Sequence, residues 1–200
     1  MRRALLLGAA LLAAASMTAS AIAADPAAAA ELKAGVFEPA RMAPDFTLPG
    51  SNGSDLVLAD FRGKVVLLGF GFSTCPDVCP TTLLTLASAR KQLGELAADV
   101  QVLYVTVDPE RDDADRLRRY LAVFDPSFIG GTGGEAQLRK VREDYGIMAR
   151  KVMGAGDDYQ VAHSAFVYLI DRRGRLRALM PYGHQAADFV HDLRILLAEP

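Results

Sequence analysis

Little in this chain announces a function through abundance. Two cysteines in 200 residues are too few for a disulfide-stapled scaffold. A hydrophobic core must carry the stability instead, and a chain this long can bury one. No sign of charge dominates: 22 Lys and Arg against 24 Asp and Glu leave a formal net charge of −2. That balance gives no footing for nucleic acid or for a charge-driven partner. Internal repeats are absent, as are a Ser-His-Asp constellation and paired catalytic carboxylates. Apolar residues make up 51% and charged residues 23%, which excludes a mainly disordered, collagenous or multi-span membrane chain. Histidine is scarce too, with three in all, so each one can be weighed individually.

The first segment reads as a targeting signal. Met1-Arg2-Arg3 precedes an apolar run from Ala4 to Ala15, and small residues lead to Ala21-Ile22-Ala23. A positive start, an apolar centre and an A-x-A site are the parts of a signal peptide, here residues 1–23. The alternative is an uncleaved anchor, because the uncharged stretch from Ala4 to Ala24 is long enough to cross a bilayer. No cysteine near the cleavage region supports a lipoprotein. Either reading exports the body of the chain, in a bacterial frame to the periplasm. That compartment is oxidising, so two nearby cysteines there require a redox explanation. Residues 24–41, Ala-rich with Pro26 and Pro39, read as a linker, and residues 42–200 as the domain.

Within the domain, Asp45–Leu48 and Leu56–Leu58 are short strands around the turn Gly50–Gly53. Val65–Phe72 is a continuous apolar run, suited to a central strand buried on both faces, and Val100–Val107 reads as another buried strand. A helix begins near Pro80, a favoured first helical residue, with apolar positions at helical spacing through Leu93. Asp112 or Asp113 caps a second helix through Phe124. A short strand at Phe128–Ile129, a helix over Glu135–Tyr145 and a strand over Ile147–Val152 follow. Val161–Ile170 reads as one strand, paired as a hairpin with Arg175–Met180 through the turn Asp171–Gly174. Ala186–Leu197 is a closing helix. This order predicts an α/β fold of the thioredoxin-like sandwich class: a central mixed β-sheet flanked by helices, with extra N-terminal strands. In open α/β sheets the site lies beyond the carboxyl ends of the strands. The cysteines follow the first long strand.

Cys75 and Cys79 are separated by three residues, Pro76-Asp77-Val78. Thioredoxin-like redox motifs use two; a spacing of four positions lets two sulfurs face a common ion. Cys79 at a helix start is expected to have a lowered pKa. Thiolates are soft donors that favour Cu(I) or Zn. The bland alternative is a static disulfide, but a stabilising disulfide gains most by closing a long loop, and this one closes almost nothing.

The stretch Gly69-Phe70-Gly71-Phe72-Ser73-Thr74-Cys75-Pro76-Asp77-Val78-Cys79-Pro80-Thr81-Thr82-Leu83 resembles the signature of the Sco/SenC copper-chaperone family. Val107-Asp108-Pro109-Glu110-Arg111-Asp112 and His163-Ser164-Ala165-Phe166-Val167-Tyr168-Leu169-Ile170-Asp171 follow in the family's order and spacing, so the resemblance covers about residues 42–198. It implies a metal site of Cys75, Cys79 and His163 holding one copper ion per chain, as Cu(I) and also as Cu(II). It implies delivery of copper to the binuclear site of cytochrome c oxidase subunit II, or to a related oxidase or copper carrier. Many relatives have Val-Asp-His where this chain has Val161-Ala162-His163, which removes a carboxylate beside the ligand.

Each site residue also has a structural reading. His163 shares its alternating face with Val161, Ala165, Val167 and Leu169, where a lone imidazole is ordinarily a core histidine bonded to backbone. Asp77 between the cysteines and Asp108 at a strand end could orient a ligand, or serve as turn and cap residues. His184 and His191 read as surface residues, Gly130–Gly134 as a flexible turn before a helix, and Met148 and Met153 as packing. Two rival functions stay open. A thiol–disulfide oxidoreductase acting on the target's cysteines would use Cys75 and Cys79 as redox-active residues without needing His163. A redox or copper sensor would use the same site.

Overall fold

The computed structural model describes residues 31–154 and 159–199. The signal-peptide or anchor segment, residues 1–23, lies outside the described residues, as does the first part of the linker. Among the described residues no helix is long and apolar enough to cross a membrane.

The two apolar runs form the centre. Strands β4 (Val65–Gly71) and β5 (Val100–Thr106) are buried at every position and pair in parallel from Val65↔Val100 to Gly71↔Thr106. Apolar side chains on both alternating faces demand cover on both sides of the sheet. On one face α1 (Val78–Leu93) packs against α4 (Ala186–Ala198), and Arg90 of α1 is ion-paired to Asp125, in the segment that follows α2 (Ala114–Ala122). On the other face Phe70 meets Tyr145 and Tyr168, and Phe46 joins the ring cluster through Tyr145, next to α3 (Glu135–Asp144).

The sheet is mixed. β9 (Phe166–Ile170) lies antiparallel to β4, and β10 (Arg175–Pro181) folds back on β9. β6 (Ile129–Gly131) closes the far edge in parallel with β5. At the near edge stands β1 (Gly35–Met42), antiparallel to β10. The order is therefore β1-β10-β9-β4-β5-β6, a thioredoxin-like sandwich with an added edge strand. The extra hairpin, β2 (Thr47–Pro49) with β3 (Asp55–Val57), is fastened to the β6 edge by Ser51 N–H to Gly130 and Thr132 N–H to Pro49.

Three sequence readings need correction. The linker does not run to residue 41, because Gly35–Met42 is strand β1; its paired edge makes it part of the sheet despite a composition that reads as tether. Gly130 and Gly131 are not a flexible turn. They are strand residues, and at Gly131 a Cβ would stand 2.8 Å from Leu56 and 3.1 Å from Leu48, so the glycine lets the hairpin pack on the sheet edge. Most important for the site, Val161–Ile170 is not one strand. It breaks at Ser164-Ala165 into β8 (Tyr159–His163) and β9. Among the described residues β8 pairs only with β7 (Ala149–Met153), in a separate two-stranded ribbon.

Candidate functional site: two sulfurs and an imidazole

The cysteine loop begins where β4 ends. Val107 N–H bonds Gly71 O at 2.8 Å, one rung beyond the paired strands, and Cys75 N–H reaches back to Phe72 O. The loop is held from beneath by Asp112, fully buried. Its carboxylate accepts from Ser73 N–H at 2.9 Å, from the Ser73 hydroxyl, and from Thr106 Oγ1 at 2.8 Å. Arg116 Nε stands 3.7 Å from it. Asp113, not Asp112, caps α2 by accepting from Arg116 N–H. This role for Asp112 was missed, although an acid-rich turn at the carboxyl end of a buried strand was its available signal.

Helix α1 begins at Val78, with Asp77 in the capping position but making no side-chain cap bond. Helix N-termini carry unpaired backbone N–H groups. Here the Cys75 sulfur receives the N–H groups of Asp77 and Cys79, together with the thiol proton of Cys79. The thiol bond from Cys79 is the largest cause, and the Cys75 pKa falls to about 5 against partial burial. Cys79, 3% exposed, is pushed the other way, first by donating to Cys75 and then by burial. The expectation that Cys79 carries the lowered pKa is thus reversed: the helix terminus acts on the sulfur preceding it, and Cys79 is already inside the first turn. Asp77 is exposed and contributes its backbone rather than its carboxylate.

His163 closes β8 with its ring between backbone and sulfur. Nδ1 lies 2.8 Å from Ser164 O, so Nδ1 carries the proton and donates. Nε2 keeps its lone pair and stands 3.6 Å from Cys79 Sγ. The expected hydrogen bond to backbone is therefore present, yet it leaves the second nitrogen free to act. The face shared with Val167 and Leu169 does not exist across the break at Ser164-Ala165. Ser164 instead ties the ribbon end, its N–H to Met148 O at 3.0 Å and its hydroxyl accepting from Met148 N–H at 3.1 Å.

Asp108 supports this ribbon. It is 1% exposed, accepts from Tyr159 Oη at 2.7 Å, and is ion-paired to Arg111. The Arg111 guanidinium lies over the Tyr159 ring at 3.9 Å and near the Phe72 ring at 5.7 Å. Phe72 in turn meets His163 edge-on at 5.8 Å. Asp108 thus orients the strand that presents His163, through Tyr159. Neither Tyr159 nor Phe72 carried a signal of its own in the sequence. His184 and His191 sit beside Asp188 and Asp192, next to the edge where Asp192 accepts from Lys33 and Ala34 N–H. Met148 and Met153 are 78% and 66% exposed rather than packed.

The structure therefore brings Cys75, Cys79 and His163 together through two contacts that share Cys79. Among the described residues no three His, Cys, Asp or Glu side chains are already drawn to metal-binding separations. Two sulfurs and an imidazole nitrogen are a donor set for a soft ion, and a half-exposed thiol ahead of a buried one is also a donor set for exchange.

Comparison with known proteins is consistent with this geometry. The SCO1/SenC family model matches residues 35–198. An SCO2-like protein of Rickettsia felis is 38% identical over 133 residues, spanning 66% of this chain and 65% of that protein; the chain therefore matches just under two thirds of the length of such relatives. Among solved structures, Bradyrhizobium japonicum ScoI with copper bound superposes with a TM-score of 0.73 at 34% identity, over 78% of this chain and 99% of that one. The apo Sco1 protein from Thermus thermophilus gives 0.75 at 37% identity, over 84% and 98%. The family model runs from the first edge strand to the last helix and takes in the cysteine loop, the Asp108 turn and His163, so the chain belongs to the SCO1/SenC family.

Proposed function

We propose that this protein is a periplasmic copper carrier. It holds one Cu(I) through the thiolates of Cys75 and Cys79 and Nε2 of His163, and passes it on during assembly of cytochrome c oxidase, at the binuclear copper site of subunit II. The observation that carries the reading is the His163 ring: Nδ1 is committed to Ser164 O while Nε2 faces the Cys79 sulfur. A backbone bond at one nitrogen that fixes the tautomer and aims the other is how metal-binding histidines are oriented. A thiol–disulfide exchanger has no use for that aim. Copper bound to a relative of 34% identity on the same fold supports the choice of ion.

Copper is the cargo, and this chain's residues prepare for it. Cys75, readily ionised and half-exposed, meets the ion first. Cys79 loses its proton to solvent as its sulfur binds, and His163 completes a three-donor set. Transfer proceeds by exchange, an incoming thiolate replacing one donor at a time. The Arg2-Arg3 start and the apolar run after it support export. The test is anaerobic Cu(I) titration of the reduced protein, wild type against His163→Ala. One equivalent bound by the wild type and lost from the variant is the expected result; equal retention by both overturns the assignment.

One observation favours a second reading. A Cys75 pKa near 5 beside a buried Cys79 thiol is an attacking and a resolving sulfur, which supports thiol–disulfide exchange on the recipient's cysteines. The two readings part at His163, which exchange does not require.

A further inference from the structure

Tyr104 sits on β5 directly beneath the cysteine loop, 3% exposed. Its hydroxyl approaches the Cys79 sulfur but completes a hydrogen bond with no group among the described residues. The space for this approach comes from Gly71. A Cβ there would stand 2.0 Å from Tyr104 Oη and 2.7 Å from Cys79 Sγ, so hydroxyl and sulfur converge on the same point above the glycine. The next ring outward, Tyr120, stacks 6.4 Å from Tyr104 and offers the hydroxyl no bond either.

A buried hydroxyl left unpaired costs about 1–3 kcal/mol, and a neutral thiol is a weak acceptor. A thiolate is a strong one, since hydrogen bonds to ionised acceptors are roughly twice as strong as neutral ones. We infer that Tyr104 is a positioning residue for the Cys79 sulfur: its buried hydroxyl, which converges with that sulfur above Gly71, donates to it when copper is held. This rests on the reading of Cys79 as a working thiolate and extends it to a residue outside the Cys, Cys and His set. The buried sulfur, far from solvent donors, would then have one fixed donor of its own.

The test is Tyr104→Phe, which removes one oxygen and keeps the ring. A merely structural role predicts loss of stability. The present inference predicts unchanged or raised thermal stability, because an unpaired buried hydroxyl is removed. It also predicts Cu(I) affinity lowered about tenfold in chelator competition, at the scale found for partners that orient metal ligands, with stoichiometry still one. The sulfur-to-copper charge-transfer band of the Cu(II) form should move to lower energy. Tyr120→Phe should leave affinity within about twofold of wild type. Unchanged affinity and an unmoved band in Tyr104→Phe overturn the inference. If the wild type binds no copper, the carrier reading fails separately, and Tyr104 is judged on sulfur alone. In a Cys75→Ser background, Tyr104→Phe should then slow iodoacetamide alkylation of Cys79 several-fold at fixed pH, and an equal rate overturns it.

Discussion

His163 Nε2 lies 3.6 Å from Cys79 Sγ while Nδ1 of the same ring is bonded to Ser164 O at 2.8 Å. The backbone bond spends the imidazole proton, so the nitrogen facing the sulfur presents a lone pair, while the one thiol proton of Cys79 is given to Cys75. That pairing gains most when an ion takes the proton's place. His163→Ala should therefore reduce Cu(I) affinity by more than the roughly 10–100-fold that loss of an orienting partner costs. It should leave Cys75 and Cys79 able to form and exchange a disulfide. Chelator competition and disulfide exchange on the same preparations check both halves.

The two thiols should differ sharply in reactivity. With its pKa near 5, Cys75 is already a thiolate in neutral solution, so its alkylation rate should rise with pH only through the region around that value and then level off. Cys79, raised by donating to Cys75 and by burial, should remain the slow site throughout. Cys79→Ser keeps a donor in place, but Cys79→Ala removes it. The Ala variant should move the Cys75 rate midpoint upward toward the ordinary thiol value, because the bond from Cys79 is the first cause of the lowering. Mass spectrometry of iodoacetamide-treated protein across pH reads each site directly, and a shared midpoint for both cysteines would contradict the asymmetry.

Much of this was legible in the sequence, for reasons that can be stated. Val65–Gly71 is apolar at every position and Val100–Thr106 at all but Gln101 and Thr106, a pattern that suits a sheet covered on both faces, and the strand–helix order then placed Cys75 at a strand's carboxyl end. The break at Ser164-Ala165 was not legible, since Val161–Ile170 keeps its strand-like composition through it. What separates β8 from β9 is pairing: Ser164 bonds Met148 while Val167 pairs with Gly69. The pKa order of Cys75 and Cys79 also escaped, because it turns first on Cys79 donating to Cys75 and on the burial of Cys79, which spacing alone does not show. Strand β1 escaped because an edge strand needs no alternation strong enough to stand out from an Ala- and Pro-containing tether.

Asp112 should prove necessary to the loop without touching an ion. It is fully buried and receives Ser73 N–H, the Ser73 hydroxyl and the Thr106 hydroxyl. Asp112→Ala strands these donors and Arg116 at once. A cost of roughly 3 kcal/mol is expected for breaking such a buried charged network. At about 2–4 °C per kcal/mol for a domain of this size, that is roughly 6–12 °C in melting temperature. Asp112→Asn, which keeps one carbonyl acceptor, should lose less. Thermal denaturation of the reduced apo protein decides it, and a shift within error of wild type for Asp112→Ala would show that the loop is held by its backbone bonds to Phe72 and Gly71 alone.

The link from Asp108 to His163 can be tested as a coupling. Tyr159 opens β8, bonds Asp108 at 2.7 Å through its hydroxyl, and lies under Arg111; His163 closes the same five-residue strand. Tyr159→Phe removes the hydroxyl that donates to the buried Asp108 carboxylate and stands 3.5 Å from Glu110 Oε2, a loss of about 1.5–3 kcal/mol when the acceptor is charged. Part of that loss should appear as looser placement of His163. Copper retention should fall several-fold, while Cys75 alkylation stays at the wild-type rate because the cysteine loop hangs from Asp112 instead. If Tyr159 acts through His163, its effect on copper must vanish once His163 is alanine. The double variant should then retain copper no worse than His163→Ala alone, a departure from additivity of the kind that residues sharing one network show. Additive losses in the double variant would mean that Tyr159 reaches the site by another path and that Asp108 does not position the imidazole.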